Sequence, residues 1–410
     1  MSDFQTNLEQ YAELAVRVGV NVQPGQKFII NAPLHAAEFV RLLTKKGYEA
    51  GALLVKVNWS DDQITRLRYE LAPDESFELG PKWYAAEMEE LAEEQGAVLH
   101  VVSDDPDLLK GIDSKRIATF QKAASKVLVK YREYVQSDKM SWSIVAVPSK
   151  AWAAKVFPDQ PAEEQINHMW DYIFKAVRVG QGDTISAWQE HVKLLNEKSK
   201  YLNDKAYKQL HYVAPGTDLT IGLPEGHIWA AADSVSERGD SFIANMPTEE
   251  VFTAPLKSDV NGYVSSTKPL SYGGTIIDNF KLTFKDGRIV GVEAEKGQET
   301  LEHLVEMDEG AHYLGEVALV PHRSPISESN ILYYNTLFDE NASNHLAIGS
   351  AYAFNLQGGK QMSRDELTER GLNNSLVHVD FMIGSGEMDI YGITEDGKEE
   401  PVFKQGGWAF

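Results

Sequence analysis

KFIINAP, Lys27 to Pro33, sets consecutive apolar side chains between a Pro-Gly turn at Pro24 and Gly25 and a closing proline, and reads as a buried strand. Outward from it the pattern repeats. His35 to Tyr48 has helical spacing through Phe39, Leu42 and Leu43, and Gly47 and Gly51 punctuate its end. ALLVKVNW (Ala52 to Trp59) is the next strand. A helical segment from Lys82 to Gln95 leads into AVLHVVS (Ala97 to Ser103), and WSIVAVPS (Trp142 to Ser149) is a fourth strand. Strands alternating with helices predict an α/β domain with a largely parallel sheet. The loop Ser103-Asp104-Asp105-Pro106 is a candidate switch point, without a Gly-rich phosphate fingerprint.

From Pro161 to Leu210 the pattern is helical and strongly charged. From Thr217 the texture changes. TDLTIGLP, FIANMP, NFKLTFKDGRIVGVEAEKG and HVDFMIG look like strands joined by Gly- and Asp-containing turns, and Lys285-Asp286-Gly287-Arg288 is a hairpin signal. The expected organisation is an N-terminal α/β domain over residues 1–205 and a C-terminal α+β, sheet-rich, metal-binding domain over residues 206–410.

A chain of 410 residues suits two or three domains and can bury a large core. With 43% hydrophobic and 24% charged residues it is globular rather than disordered. Lys plus Arg is 39 and Asp plus Glu 61, so the net charge is 39 − 61 = −22, which argues against nucleic acid and anionic membranes as partners. No cysteine is present, which excludes disulfides, thiolate metal sites and Cys nucleophiles. The start MSDFQTNLEQYAELAV has no basic or apolar leader, and no run of about 18 apolar residues occurs, so a cytoplasmic protein is expected.

HExxH, GxxxxGK[ST] and GxSxG are all missing, and Gly384-Ser385-Gly386 is an incomplete dinucleotide fingerprint. Four clusters of metal-competent residues stand out in the second half. NMPTEEVFTAP holds Glu249 and Glu250, which on an extended segment point to opposite faces. A Glu framed by Met246, Val251 and Phe252 needs a partner; the ordinary alternative is a solvated pair. HYLGEVALVP holds Glu316 in an apolar run, costly unless paired or cation-bound; the alternative is the solvent face of an edge strand. His312 and His322 flank it as ordinary surface histidines. LFDENASNHLAIGSAYAF holds Asp339, Glu340 and His345. Asn344 or Ser343 is expected to cap a helix beginning near His345, with Tyr352 on the same face roughly 10 Å along the axis. The alternative is a capped helix with a surface His and a core Tyr. LVHVDFMIG puts His378 and Asp380 side by side on one face of a strand, a chelating element or a self-satisfied pair.

Together the best candidates are Glu250, Glu316, Glu340, His345, His378 and Asp380. Four carboxylates and two imidazoles exceed what one divalent ion needs and suit two ions sharing a carboxylate. Such ligands fit Zn, Co or Mn. A water between the ions would become a hydroxide nucleophile without Ser or Cys. Two divalent ions offset only 4 of the 22 negative charges, so most of the acidity is surface.

These clusters resemble the thermophilic-aminopeptidase family of metallopeptidases. The likeness runs through YAELAVRVGVNVQPGQ, NMPTEEVFTAP, GEVALVP, NASNHLAIGSAY and HVDFMIG, and so over the whole chain. It implies an exopeptidase with two divalent ions that removes N-terminal residues from peptides. The implied ligands are Glu250, Glu316, Glu340, His345, His378 and Asp380, with Tyr352 near the scissile carbonyl. The resemblance also implies a homodimer whose N-terminal domain helps enclose the site, restricting substrates to short peptides with a free N-terminus. Tyr352 would donate to the developing oxyanion and Glu316 would carry the water proton, unless it bridges the ions, when Glu249 or an uncommitted second oxygen must do so. The competing readings are another two-metal hydrolase, such as a phosphoesterase, and a non-catalytic metal- or peptide-binding protein. Arg323, the nearest basic residue in sequence, is a thin basis for a phosphate clamp.

Overall fold

A computed structural model describes residues 4–103, 105–273 and 275–410. Met1 to Asp3 and Asp104 of the expected switch-point loop lie outside the described residues. The chain divides into two compact units, one of residues 1–194 and 232–248, the other of 195–231 and 249–410. In chain order the first contains α1 (Phe4–Leu14), β1 (Lys27–Pro33), α2 (Ala37–Glu49), β2 (Leu54–Ser60), α3 (Asp62–Leu71), α4 (Lys82–Glu93), β3 (Ala97–Val102), α5 (Ser114–Val127), α6 (Val129–Gln136), β4 (Ser141–Ala146), α7 (Lys150–Val156) and α8 (Ala162–Ala176). The boundary falls within α9 (Thr184–Lys205). Strands β1 to β4 form an all-parallel sheet in the order β2-β1-β3-β4. The near-continuous apolar runs of β1 and β3 follow from cover on both sheet faces. The order reverses between β1 and β3, and beyond their carboxyl ends His35 Nε2 lies 2.9 Å from Ser103 Oγ. α5 and α6 fill the stretch between β3 and β4, for which the sequence pattern predicts no element. Among the described residues no helix is long and apolar enough to cross a membrane.

The hairpin β5 (Gln209–Ala214) and β6 (Thr217–Gly222) opens the second unit; β7 (Asp233–Val235) and β8 (Ser241–Ile243) return to the first. Then follow β9 (Val251–Thr253), β10 (Val260–Ser265), β11 (Leu270–Tyr272), β12 (Thr275–Lys285), β13 (Arg288–Lys296), α10 (Gln298–Val305), β14 (Leu314–Leu319), α11 (Thr336–Asp339), β15 (His345–Gly349), α12 (Arg364–Glu369), β16 (His378–Met382), β17 (Asp389–Ile393), β18 (Glu399–Lys404) and β19 (Gly407–Trp408). One antiparallel sheet has the order β11-β12-β10-β6-β5-β17-β18-β19, with β13 beside β12. The β12–β13 hairpin turns on Asp286 and Gly287, both at positive φ, as the Asp-Gly pair predicts. A second antiparallel sheet, β16-β15-β14-β9, carries the clusters singled out in the sequence.

The expected helix at His345 is absent. His345–Gly349 is strand β15, buried along its length and paired with β14 and β16. A five-residue apolar run carries no periodicity that separates buried strand from buried helix, and pairing on both sides decides it. Asn344 caps no helix there; its Oδ1 accepts the Val320 N–H at 2.8 Å. His312 is also not a surface residue: it is buried, with Nε2 3.7 Å from Glu306, whereas His322 is exposed.

Candidate metal centre

The register of the second sheet assembles the site. Glu316 of β14 pairs with Ala347 of β15, which pairs with Asp380 of β16. Next to this row, Phe252 of β9, Ala318, His345 and Met382 align, and Gly349 pairs with His378. Period two puts all of these on one sheet face. Ala318, Ala347 and Gly349 form a low floor, and the charged side chains close over it. Gly349 is at φ +113°, and a Cβ there would lie 2.1 Å from the Val377 carbonyl oxygen, so a larger residue would displace the strand that carries His378. Glu316 belongs to an inner strand, not an edge, and is 5% exposed.

Two triads result. Glu250, Glu316 and His345 each present one ligand atom, and these atoms lie within 4.8 Å of one another; so do those of Glu316, His378 and Asp380. Glu316 is common to both. Its Oε1 is 3.5 Å from His345 Nε2 and its Oε2 3.5 Å from His378 Nε2. Glu250 Oε2 is 3.0 Å from His345 Nε2, and Asp380 Oδ1 is 3.5 Å from His378 Nε2. Glu340 is buried near both triads but belongs to neither. Tyr352 follows β15, and its ring lies edge-on to His378 with centroids 4.9 Å apart; the helical relation to His345 is replaced by this contact. Glu249 is buried as well, and its backbone N–H donates to Asn341 Oδ1 at 2.7 Å.

Backbone carbonyls fix both imidazoles. His345 Nδ1 faces the Glu340 and Ser343 carbonyl oxygens at 3.0 and 3.1 Å, and His378 Nδ1 faces that of Ser350 at 2.7 Å. A carbonyl only accepts, so each Nδ1 carries a proton and each Nε2 turns toward the carboxylates. The charges are imbalanced. Burial, then repulsion from Asp380 and Glu250, raises Glu340 well above the usual carboxylate range, and burial raises Glu250 too. Burial also acts to raise Glu316, but hydrogen bonds from His345 and His378 outweigh it and bring it down to about 2. Burial lowers the two imidazoles, and their carboxylate neighbours more than reverse this.

Around the cluster, asparagines and one aspartate set the chain. Asp339 accepts the Tyr333 N–H through Oδ1 at 2.9 Å and the Asn335 N–H through Oδ2 at 3.1 Å, and burial pushes it up to about 6. Asn341 Nδ2 donates to the Leu337 carbonyl at 2.9 Å. The sequence reading saw Asp339 only as one more metal-competent group. Its clamp on two backbone N–H groups depends on the turn at Asn335, itself the N-cap of α11.

The residues fit a divalent cation. Three buried carboxylates and the half-buried Asp380 face two imidazoles, and the Asp380 Oδ1 atom is itself buried without a hydrogen-bond partner. Such an arrangement is costly unless positive charge is supplied. The donor set of oxygens and imidazole nitrogens is that of a first-row divalent ion rather than a soft one.

The chain matches the family described as thermophilic metalloprotease (M29) over residues 4–408, and it belongs to that family. It is therefore of a metallopeptidase class that uses divalent metal. It is 62% identical over 410 residues to aminopeptidase AmpS of Bacillus subtilis, covering all of both chains. It is 52% identical to aminopeptidase 2 of Geobacillus stearothermophilus, covering all of this chain and 99% of that one. The solved structure of wild-type AmpT from Thermus thermophilus superposes with a TM-score of 0.92 at 42% identity, with both chains fully covered.

Proposed function

We propose that this protein is an aminopeptidase that removes N-terminal residues from short peptides at a site holding two divalent ions. The observation that carries the reading is the pair of triads, one buried and one partly buried, that share Glu316. Glu250 and His345 would serve one ion, His378 and Asp380 the other, Glu316 both, and Glu340 would complete the set. Zn, Co and Mn all suit these donors. Bound there, the ions supply Lewis acidity for the scissile carbonyl and lower the pKa of water.

The chain's own residues do the rest. Burial raises the Tyr352 phenol, so it stays protonated and can donate to the oxyanion that develops on the carbonyl. Glu316 is committed through both oxygens, which leaves it a poor proton carrier. Proton transfer to the leaving amine would then fall to Glu249, buried and next to Glu250 in sequence, or to a carboxylate oxygen that the ions leave uncommitted. The apolar floor and burial keep bulk water away from the reacting groups.

We also propose a homodimer joined through the first unit. Ile64, Leu67 and Leu71 follow helical spacing along α3 and are all exposed, Leu71 to 77%, and Trp83 of α4 is 95% exposed. An apolar surface of this kind suits a protein interface. Sedimentation of the wild type beside Leu67→Lys should show a dimer reduced to monomer; a monomeric wild type refutes the assembly.

The activity is tested by stripping the protein with chelator and restoring Zn, Co or Mn in turn. Metal-dependent hydrolysis of leucine p-nitroanilide, without hydrolysis of its N-acetylated form, is expected. No cleavage with any metal, or equal cleavage of both substrates, would overturn the reading. Glu249→Gln should keep the metal-dependent rise in Tm and lose kcat.

A further inference from the structure

Three aromatic rings that ligate nothing stand beside the charged cluster. Phe252, Tyr352 and Phe354 are each only partly buried. Tyr352 stacks on Phe354 with centroids 5.1 Å apart and an interplanar angle of 21°. Phe252 meets the rings edge-on, 5.9 Å from Phe354 and 6.1 Å from Tyr352. The sheet register puts Phe252 in the same row and on the same face as His345, and Tyr352 touches His378. The wall is therefore continuous with the metal centre.

The wall is also held in shape. The Asn355 N–H donates to the Tyr352 carbonyl at 3.2 Å, and Asn355 Nδ2 donates to the Ile228 and Phe252 carbonyls at 3.1 and 3.4 Å. Behind it Ala254, Ala351, Leu356, Leu367 and Leu372 form a buried cluster. A folding chain gains by burying such rings, and here a rigid support keeps them partly open beside a polar site. An apolar surface adjoining convergent polar groups is the ordinary form of a ligand subsite.

Resting on the aminopeptidase reading, we propose that Phe354 and Phe252, with the ring of Tyr352, form the subsite for the side chain of the substrate's N-terminal residue and select large apolar side chains. The occupant follows from position. The cluster handles the amine and the scissile carbonyl, and the side chain between them must leave toward a neighbouring wall. An aromatic wall rewards leucine, methionine or phenylalanine, whereas a charged side chain loses its hydration against it.

The experiment compares kcat/KM for the p-nitroanilides of phenylalanine, leucine and alanine in wild type, Phe354→Ala, Phe252→Ala and Phe354→Leu. The wild type should favour phenylalanine and leucine over alanine by about tenfold or more. In Phe354→Ala and Phe252→Ala that ratio should fall to within about threefold, with the larger loss on the phenylalanine and leucine substrates; Phe354→Leu should retain most of the leucine preference. Calorimetric titration of L-phenylalanine and L-alanine should show the same loss of discrimination in binding. Because the readout is a ratio within each protein, partial misfolding cancels. An active wild type whose ratio survives both alanine substitutions, or whose rates fall equally on all substrates, overturns the subsite alone. A wild type that releases no residue from any substrate overturns the aminopeptidase reading and the subsite with it.

Discussion

Each unit sets a row of polar side chains across a four-stranded sheet, and the two rows are finished differently. In the parallel sheet, Asn58, Asn31 and His100 sit opposite one another on β2, β1 and β3. Asn58 Nδ2 donates to Asn31 Oδ1 at 3.1 Å and to Glu87 Oε2 at 2.8 Å, and Asn31 Nδ2 donates to His100 Nδ1 at 3.4 Å. The row ends in the Lys56–Glu87 ion pair. It is closed, because every charge has its counterpart. In the antiparallel sheet, Glu316 and Asp380 face each other across Ala347 with His345 and His378 beside them, and acid exceeds base. A buried polar row that balances itself is structure. One left short of positive charge has the donor chemistry of a cation site.

The sharpest way to break that comparison is Glu316→Gln. Losing the residue common to both triads should reduce kcat/KM on the order of 10³-fold. In the wild type, metal at roughly 1,000 times its Kd should add about 4 kcal/mol of stability. Most of that gain should vanish in the variant. Wild-type-like hydrolysis by Glu316→Gln would sink its assigned role.

Next in size is the charge imbalance itself. Glu340 holds its proton more tightly in the folded chain than a free carboxyl does. Above the ordinary carboxylate pKa the folded state therefore binds more protons than the unfolded one, and this contribution to stability is lost as pH rises. Glu340→Gln should stabilise the metal-free protein at pH 7 by about 1–4 kcal/mol and flatten that slope, while weakening metal binding. Denaturant titrations with and without metal read both effects; a variant less stable in both states would contradict this repulsion.

The closed row should respond to pH with the opposite sign. Burial lowers His100 to about 4, so between there and its ordinary value near 6.5 the unfolded chain binds the extra proton. Stability then falls as pH drops through that window, by up to about 3 kcal/mol. His100→Asn should lessen the acid slope without changing the metal-dependent rise in Tm. An unchanged slope would mean that the Asn31–His100 contact persists on protonation.

His378 and Asp380 were legible from sequence because a period-two strand fixes their shared face without tertiary information. Glu316 was legible because a carboxylate in a run of Leu, Val and Ala has few inexpensive fates. The setting of His345 was not, since HLAIG is too short to show a period and its two partner strands lie far away in sequence. Phe252 was visible only as an apolar flank of Glu250. Its part in the aromatic wall depends on pairing with Ala318, which no local pattern specifies. Likewise β1 to β4 were each evident, but their order depends on a crossover between β2 and β3 that propensity does not encode.

The smallest predicted effect separates the two units by giving each a similar lesion. Asp61 Oδ1 accepts the Ile64 N–H at 3.0 Å and caps α3, and Ser363 caps α12 in a reciprocal capping box with Glu366. Asp61→Ala and Ser363→Ala should each cost about 1 kcal/mol. Their functional consequences should differ. α3 holds none of the proposed ligands or wall residues, so Asp61→Ala should leave metal affinity and the ratio of phenylalanine to alanine hydrolysis unchanged. α12 holds Leu367 in the cluster that backs the aromatic wall, so Ser363→Ala should loosen Leu356 and Ala351 and lower that ratio by a few fold at equal thermodynamic cost. If both variants moved the ratio equally, general stability rather than the shape of the wall would govern it, and the distinction between a closed scaffold sheet and a site-bearing sheet would lose its functional meaning.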